Sequence, residues 1–190
     1  MQVSMYCDGG SRGNPGVAGS GSVVYDDSGE TLAEIAYVVG KKSSNNVAEY
    51  YGLIRGLEAC AQVGATHVDV FMDSKLVVEQ MTGRWKIKHP DMRELAEQGR
   101  ALVAEITAAG GSVDLIWVPR ADNSAADALS NRGMDGEHVE DWHGSEAARD
   151  DLGEEGGQDL HDAASGLLDH DAGVLDLVRE RRGALPRHRV

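Results

Sequence analysis

Apolar and polar positions alternate over residues 2–8, where Val3, Met5 and Cys7 stand against Ser4 and Tyr6, and again over about 18–26 and 31–39. Alternation of this kind predicts strands with one buried face. The link Asp26-Asp27-Ser28-Gly29 is a strong turn signal, and connections this short predict an antiparallel meander. After the polar run 41–46 the period changes. Val47, Tyr50, Ile54, Leu57 and Ala61 recur on one helical face, which predicts a helix over 47–63. Residues 67–72 alternate again as a strand ending at Asp73. Helices follow at 74–82 and 91–109, joined by the link R-W-K-I-K-H-P, and the second stops at Gly110-Gly111. Residues 112–118 predict a fifth strand closed by Pro119, and 123–132 a last short helix. The expected architecture is an α/β fold: a five-stranded mixed sheet, an antiparallel meander plus two parallel strands reached through right-handed crossovers, flanked by helices.

Residues 134–190 differ in kind, being rich in Asp, Glu, Gly and His with no strand pattern. A weak amphipathic series, Leu160, Ala164, Leu167, Leu168, Leu175 and Val178, is broken by Gly166 and Gly173. This predicts one domain over 1–133 and an acidic, mostly disordered tail over 134–190 with room for one marginal helix. Charge supports the division. The chain carries a net charge of −14, an awkward figure for a nucleic-acid partner, since basic surface usually supplies that affinity. Residues 1–133 hold 12 basic and 17 acidic residues, whereas 134–190 hold 6 and 15, so most of the acidity lies in the tail. Cys7 and Cys60 are too few for a disulfide framework and sit in apolar contexts, as reduced core residues do. No run is apolar enough to span a membrane, and the N-terminus lacks the basic start of a signal peptide. A cytoplasmic monomer is expected.

Asp8 ends the first alternating run and opens the glycine-rich stretch Gly9–Gly16. A carboxylate beside glycines that let backbone amides approach a polyanion suits a metal-dependent phosphodiester enzyme, and suits a hairpin turn equally. Three further acids sit at element ends. Glu49 falls in the first turn of the first helix, Asp73 at the end of the fourth strand, and Asp127 in the first turns of the last helix. Each has an ordinary reading: Asn46-x-x-Glu49 as a capping box, Asp73-Ser74 as an N-cap pair, Asp127 favouring its helix dipole. Together they converge on one edge of the sheet, where open α/β sheets bind ligands. Four carboxylates suit two divalent ions, and oxygen-only ligation selects magnesium, or manganese, over zinc.

The strings D-G-G-S-R-G-N-P-G at 8–16, S-N-N-V-A-E-Y-Y-G-L at 44–53, F-M-D-S-K-L-V at 71–77 and A-D-N-S-A-A-D-A-L-S-N at 121–131 resemble type 1 ribonuclease H, in order across residues 1–133. The resemblance implies a ribonuclease H fold and Mg2+-dependent cleavage of the RNA strand of an RNA–DNA hybrid, with two ions per site, Mn2+ as a substitute, and 5′-phosphate and 3′-hydroxyl products. Asp8, Glu49, Asp73 and Asp127 match the four catalytic, metal-binding acids, with Glu49 near the RNA 2′-hydroxyl. Gly10 and Ser11 match contacts to the RNA strand, and Asn14, Ser44 and Asn45 contacts to the DNA strand. Double-stranded RNA is a second candidate partner.

Two departures mark the archaeal-like, actinobacterial branch of that family. The loop 118–123 holds no histidine and carries Arg120, which reads either as a phosphate contact or as a surface arginine. In place of a basic helical handle stands the short link containing Trp85, Lys86 and Lys88, either a charged and stacking contact to the hybrid or a loop packing Trp85 on the core. Residues 134–190 lack the R-H-G motif of the phosphatase domain that follows some relatives. The five histidines 138, 143, 161, 170 and 188 lack metal-ligand spacing. Two other functions stay open: a hybrid-binding module with weak or no catalysis, and another nuclease of the same superfold.

Overall fold

The three alternating segments at the head of the chain form β1 (Gln2–Gly13), β2 (Gly16–Tyr25) and β3 (Thr31–Ser43) in a computed structural model that describes residues 1–143 and 185–190. The glycine-rich stretch is not a loop. β1 runs on through it to Gly13, pairing antiparallel with β2 from Ser4↔Tyr25 to Gly13↔Gly16, and the chain reverses at Asn14-Pro15 beside Gly13, whose φ of 89° is open to glycine. Asp8 therefore lies within β1, opposite Gly21, rather than at the strand's end. Isolated glycines weaken strands. Here the helices packed on both faces outweigh that local preference.

Those helices are α1 (Asn45–Gln62), α2 (Lys75–Met81), α3 (Pro90–Thr107) and α4 (Ser124–Met134), with β4 (His67–Met72) and β5 (Ser112–Trp117) between them. Ser44 caps α1 by accepting from the Val47 amide at 3.2 Å. The cap thus stands two residues before the expected one, and Glu49 falls beyond the first turn rather than in a capping box at Asn46. Ser74 caps α2 by accepting from Val77.

The sheet has seven strands, not five, in the order β6-β3-β2-β1-β4-β5-β7. β6 (Val139–Trp142) and β7 (His188–Arg189) come from the segment 134–190, expected to be a mostly disordered tail with one marginal helix and no strand. Both are short edge strands with one neighbour and mostly solvated side chains, so no alternation marks them in the sequence. The amphipathic series 160–178, His161 and His170 lie outside the described residues. His138 instead packs edge-on against Tyr37, and His143 lies 3.5 Å from Glu34.

One face of the sheet buries Val3, Met5, Cys7, Val68, Val70 and Met72 against α1, α2 and α3; the other buries Tyr6, Val23, Phe71 and Ile116 against α4. β2 reads Gly19-Ser20-Gly21-Ser22, and its alternation sorts the two helices. Ser20 and Ser22 donate to the α1 carbonyls of Ala48 and Gly52, both at 2.6 Å. A Cβ on Gly19 would stand 2.3 Å from the Met134 nitrogen, and one on Gly21 2.2 Å from the Ala126 oxygen, so α4 rests directly on the strand backbone.

Candidate active site

Residue pairing brings the acids together. β1 and β4 run parallel with Tyr6 opposite Phe71, so Asp8 on β1 and Asp73 just past the end of β4 each stand two residues beyond that pair. α1 brings Glu49 to the same end, held close because a Cβ on Gly52 would meet the Asp8 carbonyl at 2.4 Å and one on Gly9 the Ala48 backbone at 2.2 Å. α4 brings Asp127 in its first turn. Asp8, Glu49, Asp73 and Asp127 line one cleft of about 390 Å³ with Gly10, Ser11, Arg120 and Asn131 among its other walls.

Within it, burial and mutual repulsion act on the acids. Burial first, then the Asp73 charge, pushes the Asp8 carboxyl up to about 8, against the opposing effect of the Gly9 amide. Burial first, with the Asp73 charge adding to it, pushes Glu49 up to about 7, while the Ser74 hydroxyl donates to its Oε2 at 2.8 Å and opposes the shift. Anions held at such cost attract a cation, and carboxylate oxygens alone suit magnesium or manganese. Among the described residues, no three side chains of His, Cys, Asp and Glu are arranged to hold one ion between them. An open acidic cleft of this kind fits magnesium, which binds through one or two carboxylates and takes its other ligands from water and substrate phosphate.

Three supporting residues escaped the sequence reading. Asn123 is 2 % exposed, and its Nδ2 donates to the Cys7 carbonyl at 2.9 Å and to Asp73 Oδ1 at 3.3 Å. Two acceptors on one side fix the amide's orientation and leave its buried Oδ1 without a partner among the described residues. Trp117 Nε1 donates to the Asp73 carbonyl at 3.1 Å, and Ser74 serves both as the α2 cap and as the Glu49 donor. Asn123 stood in the string 121–131 with no role assigned to it, and Ser74 was expected only in an N-cap pair with Asp73; nothing in Trp117's position marked it.

Asn123→Ala should therefore free the Asp73 carboxylate and strand the Cys7 carbonyl. Stability is expected to fall by about 1–3 kcal/mol and any activity of the site by about 10–100-fold through misplacement of Asp73. Thermal unfolding and single-turnover rates measure the two effects.

The other expected site residues divide into two groups. Ser11, Asn14 and Asn45 are bonded to one another: Asn45 Oδ1 accepts from the Ser11 amide at 2.7 Å, and Asn14 Oδ1 accepts from the Asn45 amide at 3.3 Å. Ser11 Oγ also donates to the Ser43 carbonyl at 2.8 Å, and the Ser44 side chain is engaged as the α1 cap. The hairpin tip and the start of α1 thus form one polar rim. Arg120 is exposed on a short 3-10 turn, with Nη2 3.8 Å from Asp127 Oδ1. Trp85, Lys86 and Lys88 stand apart. They lie exposed in the link between α2 and α3 and do not line the acidic cleft; Trp85 is not packed into the core.

A family described as reverse transcriptase-like matches residues 6–133. A bifunctional protein of Mycobacterium tuberculosis is 52% identical over 136 residues, which cover 71% of this chain and 36% of that one. The chain thus spans about a third of the length of that relative. Ribonuclease H1 of Halobacterium salinarum superposes with a TM-score of 0.65 at 39% identity, covering 72% of this chain and all of that one. LC11-RNase H1, solved in complex with an RNA/DNA hybrid, superposes at 0.61 with 38% identity, covering 70% and 97% of the two chains. Among the described residues no helix is long and apolar enough to cross a membrane.

Proposed function

The chain belongs to the type 1 ribonuclease H family, and from that premise we propose that it is a metal-dependent endonuclease that hydrolyses the RNA strand of RNA–DNA hybrids. The observation that carries the reading is the meeting of Asp8, Glu49, Asp73 and Asp127 in one cleft, two of them pushed up to about 7 and 8. Two magnesium ions held by these four acids, with manganese as a substitute, would supply activation of a water and stabilisation of the leaving oxygen, giving 5′-phosphate and 3′-hydroxyl ends.

The chain's own side chains then do the positioning. Ser74 orients the Glu49 carboxylate and Asn123 that of Asp73, so neither acid has to be ordered when substrate arrives. Gly10 and Ser11, on the cleft wall, meet the RNA strand, whose 2′-hydroxyls distinguish it from DNA. Asn14, Ser44 and Asn45, on the adjoining rim, meet the DNA strand. The Arg120 guanidinium, at the mouth beside Asp127, offsets the negative charge that a phosphate brings to four acids. Trp85, Lys86 and Lys88 form a separate, weaker contact further along the hybrid, one that is sensitive to salt.

The test is a cleavage panel of end-labelled RNA–DNA hybrid, double-stranded RNA and duplex DNA, each with magnesium, manganese or a chelator. Cleavage confined to the RNA of the hybrid and lost on chelation is expected. Hybrid bound but left uncut in both metals would instead indicate a binding module, and cutting of duplex DNA another nuclease of the same superfold.

A further inference from the structure

Two buried acids outside the cleft are unused by the proposed reaction. Asp69 on β4 and Asp114 on β5 are directly opposed partners in the parallel ladder, and they are 5 % and 7 % exposed. Like charges facing each other across a ladder destabilise a sheet, and buried carboxylates need cations. The far end of the chain brings them. Arg187 donates to both Asp69 oxygens, at 2.7 and 3.2 Å, and lies 3.8 Å from Asp114; Arg189 donates to both Asp114 oxygens, at 2.5 and 3.3 Å. Two-pronged contacts of this type are the strongest and most directional that arginine makes.

The backbone fits as well. β7 pairs antiparallel with β5, Arg189 opposite Asp114 and His188 opposite Leu115, and the Val190 amide donates to the Val113 carbonyl at 3.1 Å. Leu185 packs against the core on the α4 face and Val190 against the core on the other face. The intervening His188 Nδ1 lies 2.6 Å from Arg84 Nη2, in the link that carries Trp85, Lys86 and Lys88. The family match ends at residue 133, so the strand 187–190 lies beyond it while the acids it meets lie within it.

We propose that the outer edge of β5, with Asp69 and Asp114 at its floor, is a binding groove for a basic strand of the pattern Arg-X-Arg-apolar, and that the chain's own residues 187–190 are its occupant. Seated there, the strand neutralises the opposed acids, closes the open edge that β5 would otherwise present to another chain, and ties down the α2–α3 link.

The experiment uses the full chain and its double variant Arg187→Ala, Arg189→Ala, which leaves every strand residue able to form backbone bonds. Hydrogen exchange at the Val190 amide should be slowed at least ~100-fold relative to a free peptide of the same sequence in the unaltered chain, and should return close to the free-peptide rate in the variant. Tm should fall by about 5 °C or more. A Val190 amide exchanging at the free-peptide rate in the unaltered chain overturns the proposal. So does a double variant whose protection and Tm match those of the parent, because the acids would then not be what seats the strand.

Discussion

Asp8→Asn is expected to lower hybrid cleavage by at least about 10³-fold while making the protein more stable in the absence of divalent ions. The loss follows from the position of Asp8: it stands on the central strand, beside Asp73 just past the end of β4, and lines the cleft shared with Glu49 and Asp127. Asparagine keeps the shape and one acceptor but removes the charge that draws a cation, and with it several kcal/mol of charge stabilisation in the transition state. The gain follows from the same burial. Burial and the Asp73 charge raise the Asp8 carboxyl to about 8, against about 3.9 in an unfolded chain. A carboxyl whose folded value is raised holds its proton in the folded state and releases it on unfolding. Its contribution is thus complete below about pH 4 and is lost as pH climbs toward 8. Metal-free Asp8→Asn should therefore exceed the parent by about 1–3 kcal/mol at pH 7–8 and match it near pH 4. Magnesium should narrow the gap by stabilising the parent more than the variant. Urea denaturation at the two pH values, with and without magnesium, measures all three differences. A variant less stable than its parent at pH 8 without metal would contradict the electrostatic account of the site.

Gly52→Ala should be strongly damaging although it leaves every acid in place. Alanine in a helix interior is normally worth about 1 kcal/mol over glycine. At this position its Cβ would stand 2.4 Å from the Asp8 carbonyl oxygen and 3.3 Å from the Asp8 nitrogen, both backbone atoms of the central strand. Neither can turn aside as a side chain can. Relief requires α1 to move outward by about 1 Å, and displacement on that scale can cost about 100-fold in rate when it moves a catalytic group. Glu49 rides on that helix, three residues before the clash. The overpacking penalty of about 1–3 kcal/mol exceeds the helix gain, so both Tm and cleavage should fall. Gly99→Ala on α3 is the control. There the nearest atom is the Met81 methyl at 3.1 Å, the far end of a flexible side chain, and the variant should match or exceed its parent in stability. Thermal unfolding and steady-state rates on both variants separate the two cases.

The elements legible from sequence were those in which apolar and polar residue types recur with a period, even though helices bury both faces of the central strands. β1, β2 and β3 alternate, α1 carries an apolar stripe, and β4 and β5 alternate between helices. The four acids were legible for a related reason. Each stands near the end of a predicted element or inside a motif, and the motifs came in family order. Elements without a period were missed. β6 and β7 have one neighbour each and mostly exposed side chains, so pairing partners far away in sequence, rather than local pattern, decide that they are strands. The continuation of β1 through Gly9–Gly13 was hidden likewise, since glycine carries no side chain by which to register a buried face.

Local pattern and residue chemistry thus specify which segments become strands and helices, that they assemble into a mixed sheet, and that Asp8, Glu49, Asp73 and Asp127 are the acids available at its edge. Long-range contact alone specifies how tightly those acids are held. Ser74 on Glu49, Asn123 on Asp73 and the glycines that let α1 and α4 touch the strands act between residues 25 to 116 positions apart or through the absence of a side chain. Arg187 and Arg189 reach Asp69 and Asp114 over separations of 118 and 75 residues. A period is a property of neighbours along the chain. A shared carboxylate, a shared carbonyl or a closed sheet edge is a property of neighbours in space, and it appears only once the chain has folded.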